Sequence, residues 1–132
     1  MDCFSSSPTP AAAVTVTRVD RVFTIAVSGE IDIDAVGPLE ETLSEALRAD
    51  CRCTVLDLSR LGFADSTLLG ILLSTTSAHQ LSGRPLAIAG PFSSSVWRVF
   101  TVTGTADHLP LADSLEAAHR LTGSSSDPAT PT

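Results

Sequence analysis

Asp65-Ser66-Thr67 sets one carboxylate and two hydroxyls in a row between the apolar pairs Phe63-Ala64 and Leu68-Leu69. A triplet of this kind at the start of a helix meets backbone N–H groups that have no intrahelical partner. Capping by one oxygen accounts for a single polar residue there. Three in succession leave at least one hydroxyl free for other chemistry, so function is expected at this seam. Two further carboxylates are candidates to join it. Asp57 lies in the apolar run before it, and Asp32 follows Gly29-Glu30-Ile31. Asp57 and Asp65 could pair as an acid and a base, which is the one enzymatic reading that the residues allow.

Support for catalysis is otherwise thin. His79, His108 and His119 are far apart in sequence, and none adjoins a nucleophile. His79 and His119 fall on helical stretches and read as solvent-exposed polar positions. Cys51 and Cys53 form a CxC, not the CxxC of redox or zinc sites, and the third cysteine is Cys3. They read as small thiols entering a strand. Neither GxGxxG nor GxxxxGK[ST] occurs, so nothing supports a nucleotide cradle. No cofactor and no metal are expected.

The elements that must hold the triplet follow from apolar spacing. Thr54 to Leu58 is a strand buried on both faces. Ser59 to Ala64 reads as a connection, and the apolar series Leu68, Leu69, Ile71, Leu72, Leu73 is a mostly buried helix. Upstream, Val14–Val19 and Val22–Ser28 flank Asp20-Arg21 as a hairpin. Leu39, Leu43, Ala46 and Leu47 form the stripe of a first helix, capped by Asp34 or Asp32. Downstream, Ser82-Gly83-Arg84-Pro85 stops the central helix, and Leu86–Gly90 is a short buried strand. Pro91 opens a helix with Val96, Val99 and Phe100 inward and Trp97 at the edge. Leu109-Pro110-Leu111 is at best an edge strand, and Asp113-Ser114 cap a last helix with Leu115, Ala118 and Leu121. The order predicts one α/β domain: a mixed β-sheet, opened by a hairpin and continued by βα units, with about four helices packed on it. It spans residues 14–121. Residues 1–13 and 122–132, rich in Ser, Pro and Ala, read as disordered tails.

Bulk composition narrows the function classes. Fifteen acidic residues against eight basic ones give a formal charge of −7, which argues against nucleic acid and anionic lipid as partners. No apolar run reaches the ~20 residues that span a bilayer. The opening MDCFSSSPTPAAA lacks a basic n-region and an apolar h-region, so a cytoplasmic, reduced protein is expected.

One family resembles the ordered series of landmarks. Gly29-Glu30-Ile31-Asp32 is followed by Val55-Leu56-Asp57-Leu58-Ser59, Leu61, Phe63 and Asp65-Ser66-Thr67, then Leu69-Gly70. With the Gly83 turn, Thr103-Gly104 and Asp113-Ser114-Leu115, the set is similar to the STAS domain, and more narrowly to the bacterial anti-sigma-factor antagonists. The resemblance implies a switch without catalysis. The unmodified protein would bind an anti-sigma factor, a GHKL-type serine/threonine kinase, and so free a sigma factor. Phosphorylation would end that binding and a phosphatase restore it. The family's acceptor is the second hydroxyl of its D-S-[ST]-G segment, which is Thr67 here, with Ser66 the alternative. Asp32, Asp65, Ser66, Thr67 and Leu68 would form the partner surface. Two departures stand out: Leu68 replaces the usual Gly, which narrows the approach of a partner backbone, and Thr replaces the commoner Ser. The rival reading is a STAS scaffold that binds constitutively in another signalling assembly; the third is the small enzyme using Asp57 and Asp65.

Overall fold

The computed structural model describes residues 13–31 and 36–122. The expected tails lie outside them except for Ala13 and Thr122. Strands β1 (Ala13–Val19) and β2 (Val22–Ile31) form an antiparallel hairpin. Its two-residue turn has Asp20 at φ 56° and Arg21 at φ 65°. This left-handed pair matches the right-handed twist of the flanking strands. Then follow α1 (Gly37–Arg48), β3 (Cys53–Ala64), α2 (Ser66–Leu81), β4 (Leu86–Ala89), α3 (Ser94–Val102), β5 (Leu111–Ala112) and α4 (Leu115–Leu121). The sheet order is β1-β2-β3-β4-β5, and every pair after the hairpin is parallel.

This order fixes the layers. Successive right-handed crossovers between neighbouring parallel strands place α1, α2 and α3 on one face. That face carries the main core, where Phe23, Ile25, Leu56, Leu58 and Ile88 meet Leu39 and Leu43 of α1, Leu68 and Leu72 of α2, and Val96 and Phe100 of α3. Among the described residues, α4 is the helix that covers the opposite face. There Ala118 packs with Val22, Cys53, Val55, Ala87, Ala89 and Ala112, small side chains that let a short helix lie close. Cys51 and Cys53 are both buried and free, but belong to opposite cores.

The central strand departs from its expected length. Residues 59–64 are strand, not connection. Between β2 and β3 the register steps from Ala26↔Asp57 to Ser28↔Arg60, and from Gly29↔Leu61 to Glu30↔Phe63, so β3 carries an extra residue twice. These bulges change the inward period from two to three, and Leu58, Leu61 and Ala64 all reach the core. Alternation is lost, which is why the segment does not read as a strand. Asp57 completes the first bulge, its carboxylate accepting from Ser59 N at 2.9 Å.

Helix ends also differ in part. Val36 occupies the cap position of α1 without a side-chain hydrogen bond, and Pro38 sits in the first turn. The expected caps, Asp32 and Asp34, lie outside the described residues. Pro91 precedes α3 rather than opening it; Ser93 caps the helix, accepting from Val96 N at 3.2 Å. β5 starts one residue after Pro110, because a proline N–H is not there to join a ladder. The stop signals at Gly83 and Gly104 are confirmed. At φ 69° and 74° they bring Arg84 N to His79 O and Thr105 N to Phe100 O, satisfying carbonyls that α2 and α3 leave over. Ser114 caps α4.

Two side chains pin the helix layer. The Arg84 guanidinium donates to the carbonyl of Ala46 and, at 2.9 Å, to that of Ala49, closing the end of α1 from the α2–β4 loop. Arg84→Ala leaves both carbonyls without this donor and is expected to cost about 1–3 kcal/mol, read as a lowered urea midpoint. The second is His79, which corrects the exposed position expected for it. It is 1% exposed. Its Nδ1–H donates to the Thr75 carbonyl at 2.8 Å, and Nε2 accepts from the Thr54 hydroxyl at 3.0 Å, joining α2 to β3. Burial holds its pKa below the ordinary 6.5, aided by the Arg84 charge and opposed by the Thr75 hydrogen bond. The unfolded chain therefore takes up a proton near pH 6.5 that the folded chain refuses. Stability is full above that pH and falls below it, by up to about 1.4 kcal/mol per pH unit. Urea titrations from pH 7.5 to 5.5 should show this slope in the wild type and lose it in His79→Gln.

Candidate functional site

The seam expected to carry function is the junction of β3 and α2. β3 ends at Ala64, which pairs with Ile31, the last residue of β2. Asp65 leaves the strand with extended backbone (φ −108°, ψ −171°) and its carboxylate turns onto the helix start, accepting from Thr67 N at 2.9 Å. One of the three polar residues is thereby the cap, and Leu68 N bonds to the Asp65 carbonyl at 3.1 Å. Ser66 is exposed and Thr67 half-buried. Neither hydroxyl has a hydrogen-bond partner among the described residues.

Leu68 does not belong to this surface. It is 0% exposed, locked in the main core below the first turn of α2. Helical geometry decides this: Leu68, Leu72, Thr75 and His79 lie on one buried stripe, while Ser66, Gly70, Leu73 and Ser77 lie on the exposed one. Leu68 therefore cannot meet a partner through its side chain, and it does not obstruct an approach from solvent. Asp32 lies outside the described residues; the register carries β2 only as far as Ile31 opposite Ala64.

Asp57 and Asp65 are used separately. Asp57 stands between Ala26 and Ala89 on the α4 side of the sheet, engaged with Ser59 N. Asp65 lies beyond the end of the strand, engaged with Thr67 N. Neither is placed to work with the other on one substrate. Among the described residues no group of three or more His, Cys, Asp or Glu could hold a metal ion. None of their helices is long and apolar enough to cross a membrane.

Sequence reasoning gave no site role to the rim of the junction. Ser93 Oγ donates to the Gly62 carbonyl at 3.1 Å, binding the start of α3 to the end of β3. Its signal was hidden in a run of three serines, any of which could cap. Phe63, 45% exposed, is presented to solvent by the second bulge.

What the junction can do chemically is present a hydroxyl in the first turn of a helix, beside a carboxylate already bonded to the backbone. The helix dipole favours added negative charge there by about 0.3–1 kcal/mol. Thr67 can thus carry a phosphate without loss of the helix.

This arrangement, an opening hairpin leading to parallel βα units with a D-S-T helix start, defines the class of protein. The family profile described as "Mlab, STAS domain" matches residues 14–113. The chain is 30% identical over 100 residues to the anti-sigma-B factor antagonist of Staphylococcus aureus (strain NCTC 8325 / PS 47), covering 76% of this chain and 92% of that one. Among solved structures, an anti-sigma factor antagonist from Mycobacterium paratuberculosis superposes with a TM-score of 0.77 at 26% identity, over 89% of this chain and 98% of the other. The anti-sigma factor antagonist SpoIIAA in its unphosphorylated form gives 0.69 at 26% identity, over 84% and 97%. The chain belongs to the STAS domain family and, within it, to the anti-sigma-factor antagonists.

Proposed function

We propose that the protein binds an anti-sigma factor of the GHKL-type serine/threonine kinase class and so releases a sigma factor in the cytoplasm. Phosphorylation of Thr67 by that kinase ends the binding, and a phosphatase restores it. The observation that carries this reading is the Thr67 hydroxyl at the start of α2, next to the capping Asp65 and without a hydrogen-bond partner among the described residues. Family membership and the state named for SpoIIAA, unphosphorylated, support it. Ser66 and Asp65 complete the partner surface, together with Asp32. Leu68 acts behind it by fixing the first turn. Its burial supports a regulated binder over a constitutive one, since the Leu68 side chain does not stand on the surface that a kinase would approach.

The reading makes competition the direct test. An anti-sigma factor preloaded with its sigma factor should release it when the unmodified chain is added, and should keep it when the chain is phosphorylated. Equal release by both forms would leave a constitutive antagonist. No binding of any anti-sigma factor would leave the scaffold.

A further inference from the structure

The two edges of the sheet are unlike. β5 is two residues long and follows Pro110, so it offers almost nothing for a strand to join. β1 is seven residues long, with neither proline nor bulge, and five consecutive residues from Thr15 to Val19 are exposed. Val16 is 42% and Val19 58% exposed. The tight hairpin closes on the Val19↔Val22 pair. Bonds to β2 then fall at Val19, Thr17, Thr15 and Ala13, and the N–H and C=O groups of Val14, Val16 and Arg18 point away from the sheet. Among the described residues no strand lies on that side. Arg18, the one charge on the strand, does not guard the edge: its guanidinium lies over the Phe23 ring, 5.0 Å from the centroid.

From this edge we propose that two copies of the chain associate by antiparallel pairing of β1 with β1, the twofold axis passing through Val16. The occupant is argued from register and charge. Centred on Val16, the pairing sets Val16 opposite Val16 of the second copy, Thr15 opposite Thr17, Val14 opposite Arg18 and Ala13 opposite Val19. The threonine and valine pairs are favourable cross-strand neighbours, and no charge faces a like charge. The two Arg18 residues stand about four residues apart along the ladder, roughly 14 Å, beyond the Debye length at physiological salt. On a chain of net charge −7, residues 13–19 contain no acidic residue, so no acidic side chains of the two strands meet at this seam. About six main-chain hydrogen bonds close the pair. The chain's own termini are poorer candidates. Residues 1–12 contain Pro8 and Pro10, and residues 123–132 contain Pro128 and Pro131, none able to donate to a ladder. The resulting ten-stranded sheet keeps the α2 starts of both copies away from the new seam, since α2 crosses between β3 and β4.

Pairing through one strand buries less than the ~1,000 Å² of a stable interface, so a reversible, concentration-dependent dimer is expected. Sedimentation equilibrium of the full chain from 5 µM to 1 mM reads it, with circular dichroism checking the fold. The wild type should approach dimer mass over this range. Val16→Lys and Val16→Glu, each placing like charges on the axis, should remain monomeric alone. Mixed in equal amounts they should dimerise again, which a merely misfolded variant would not do. A wild type monomeric to 1 mM, its edge left bare or covered by another protein, overturns the proposal. So do single variants that dimerise like the wild type, and so does a mixture that stays monomeric.

Discussion

Thr67→Glu is expected to weaken binding of the anti-sigma factor by roughly thirty- to several-thousand-fold while leaving the domain folded. Two effects of the added charge oppose each other here. At the first turn of α2 a negative group gains about 0.3–1 kcal/mol from the helix dipole. At a docked surface built to meet a neutral hydroxyl, the same group must be desolvated beside Asp65, at about 2–5 kcal/mol. The second exceeds the first several-fold, so disruption is confined to the interface. Titration calorimetry should find Thr67→Glu close to non-binding and Thr67→Ala close to wild type, with thermal midpoints within a few degrees for all three. A Thr67→Glu chain that binds like wild type would show that the partner does not read this hydroxyl.

Leu68→Gly restores the residue usual in the family and is expected to be the more damaging change to the fold. Leu68 is 0% exposed, at the meeting point of α2 and the sheet. Removing its whole side chain combines lost burial with a cavity, about 2–5 kcal/mol. Glycine in the helix adds up to about 1 kcal/mol. Against a typical total of about 5–15 kcal/mol, the variant should lose a large share of its stability and unfold at a markedly lower urea concentration. Leu68→Met fills nearly the same volume and should cost less than about 1.5 kcal/mol. Urea melts of the two distinguish a core residue from a surface one: a loss below about 1 kcal/mol for Leu68→Gly would place Leu68 outside the core.

The contrast between these residues shows what the sequence made legible. The triplet stood out because three polar side chains interrupt an apolar run, and that placed the helix start and its cap correctly. The hairpin, the βα alternation and the glycine stops were equally readable, each resting on local rules of periodicity or backbone φ. What was not readable depended on long-range pairing. The bulges that extend β3 to Ala64 exist only against β2, and they convert alternation into a period of three that resembles a loop. His79 looks like a surface polar residue until Thr54, twenty-five positions earlier, supplies a partner for its second nitrogen. Leu68 next to Thr67 is adjacent in sequence, yet the helical turn sends the two side chains to opposite environments.

On the proposed function, the Thr67 hydroxyl is the switch. Intact-mass analysis after incubation with the anti-sigma kinase and Mg-ATP tests it most directly, comparing wild type, Ser66→Ala and Thr67→Ala. One phosphate, about 80 Da, on wild type and Ser66→Ala but absent from Thr67→Ala is the predicted result. A phosphate that persists in Thr67→Ala and disappears in Ser66→Ala, or a kinase that binds the chain and never modifies it, would contradict the claim.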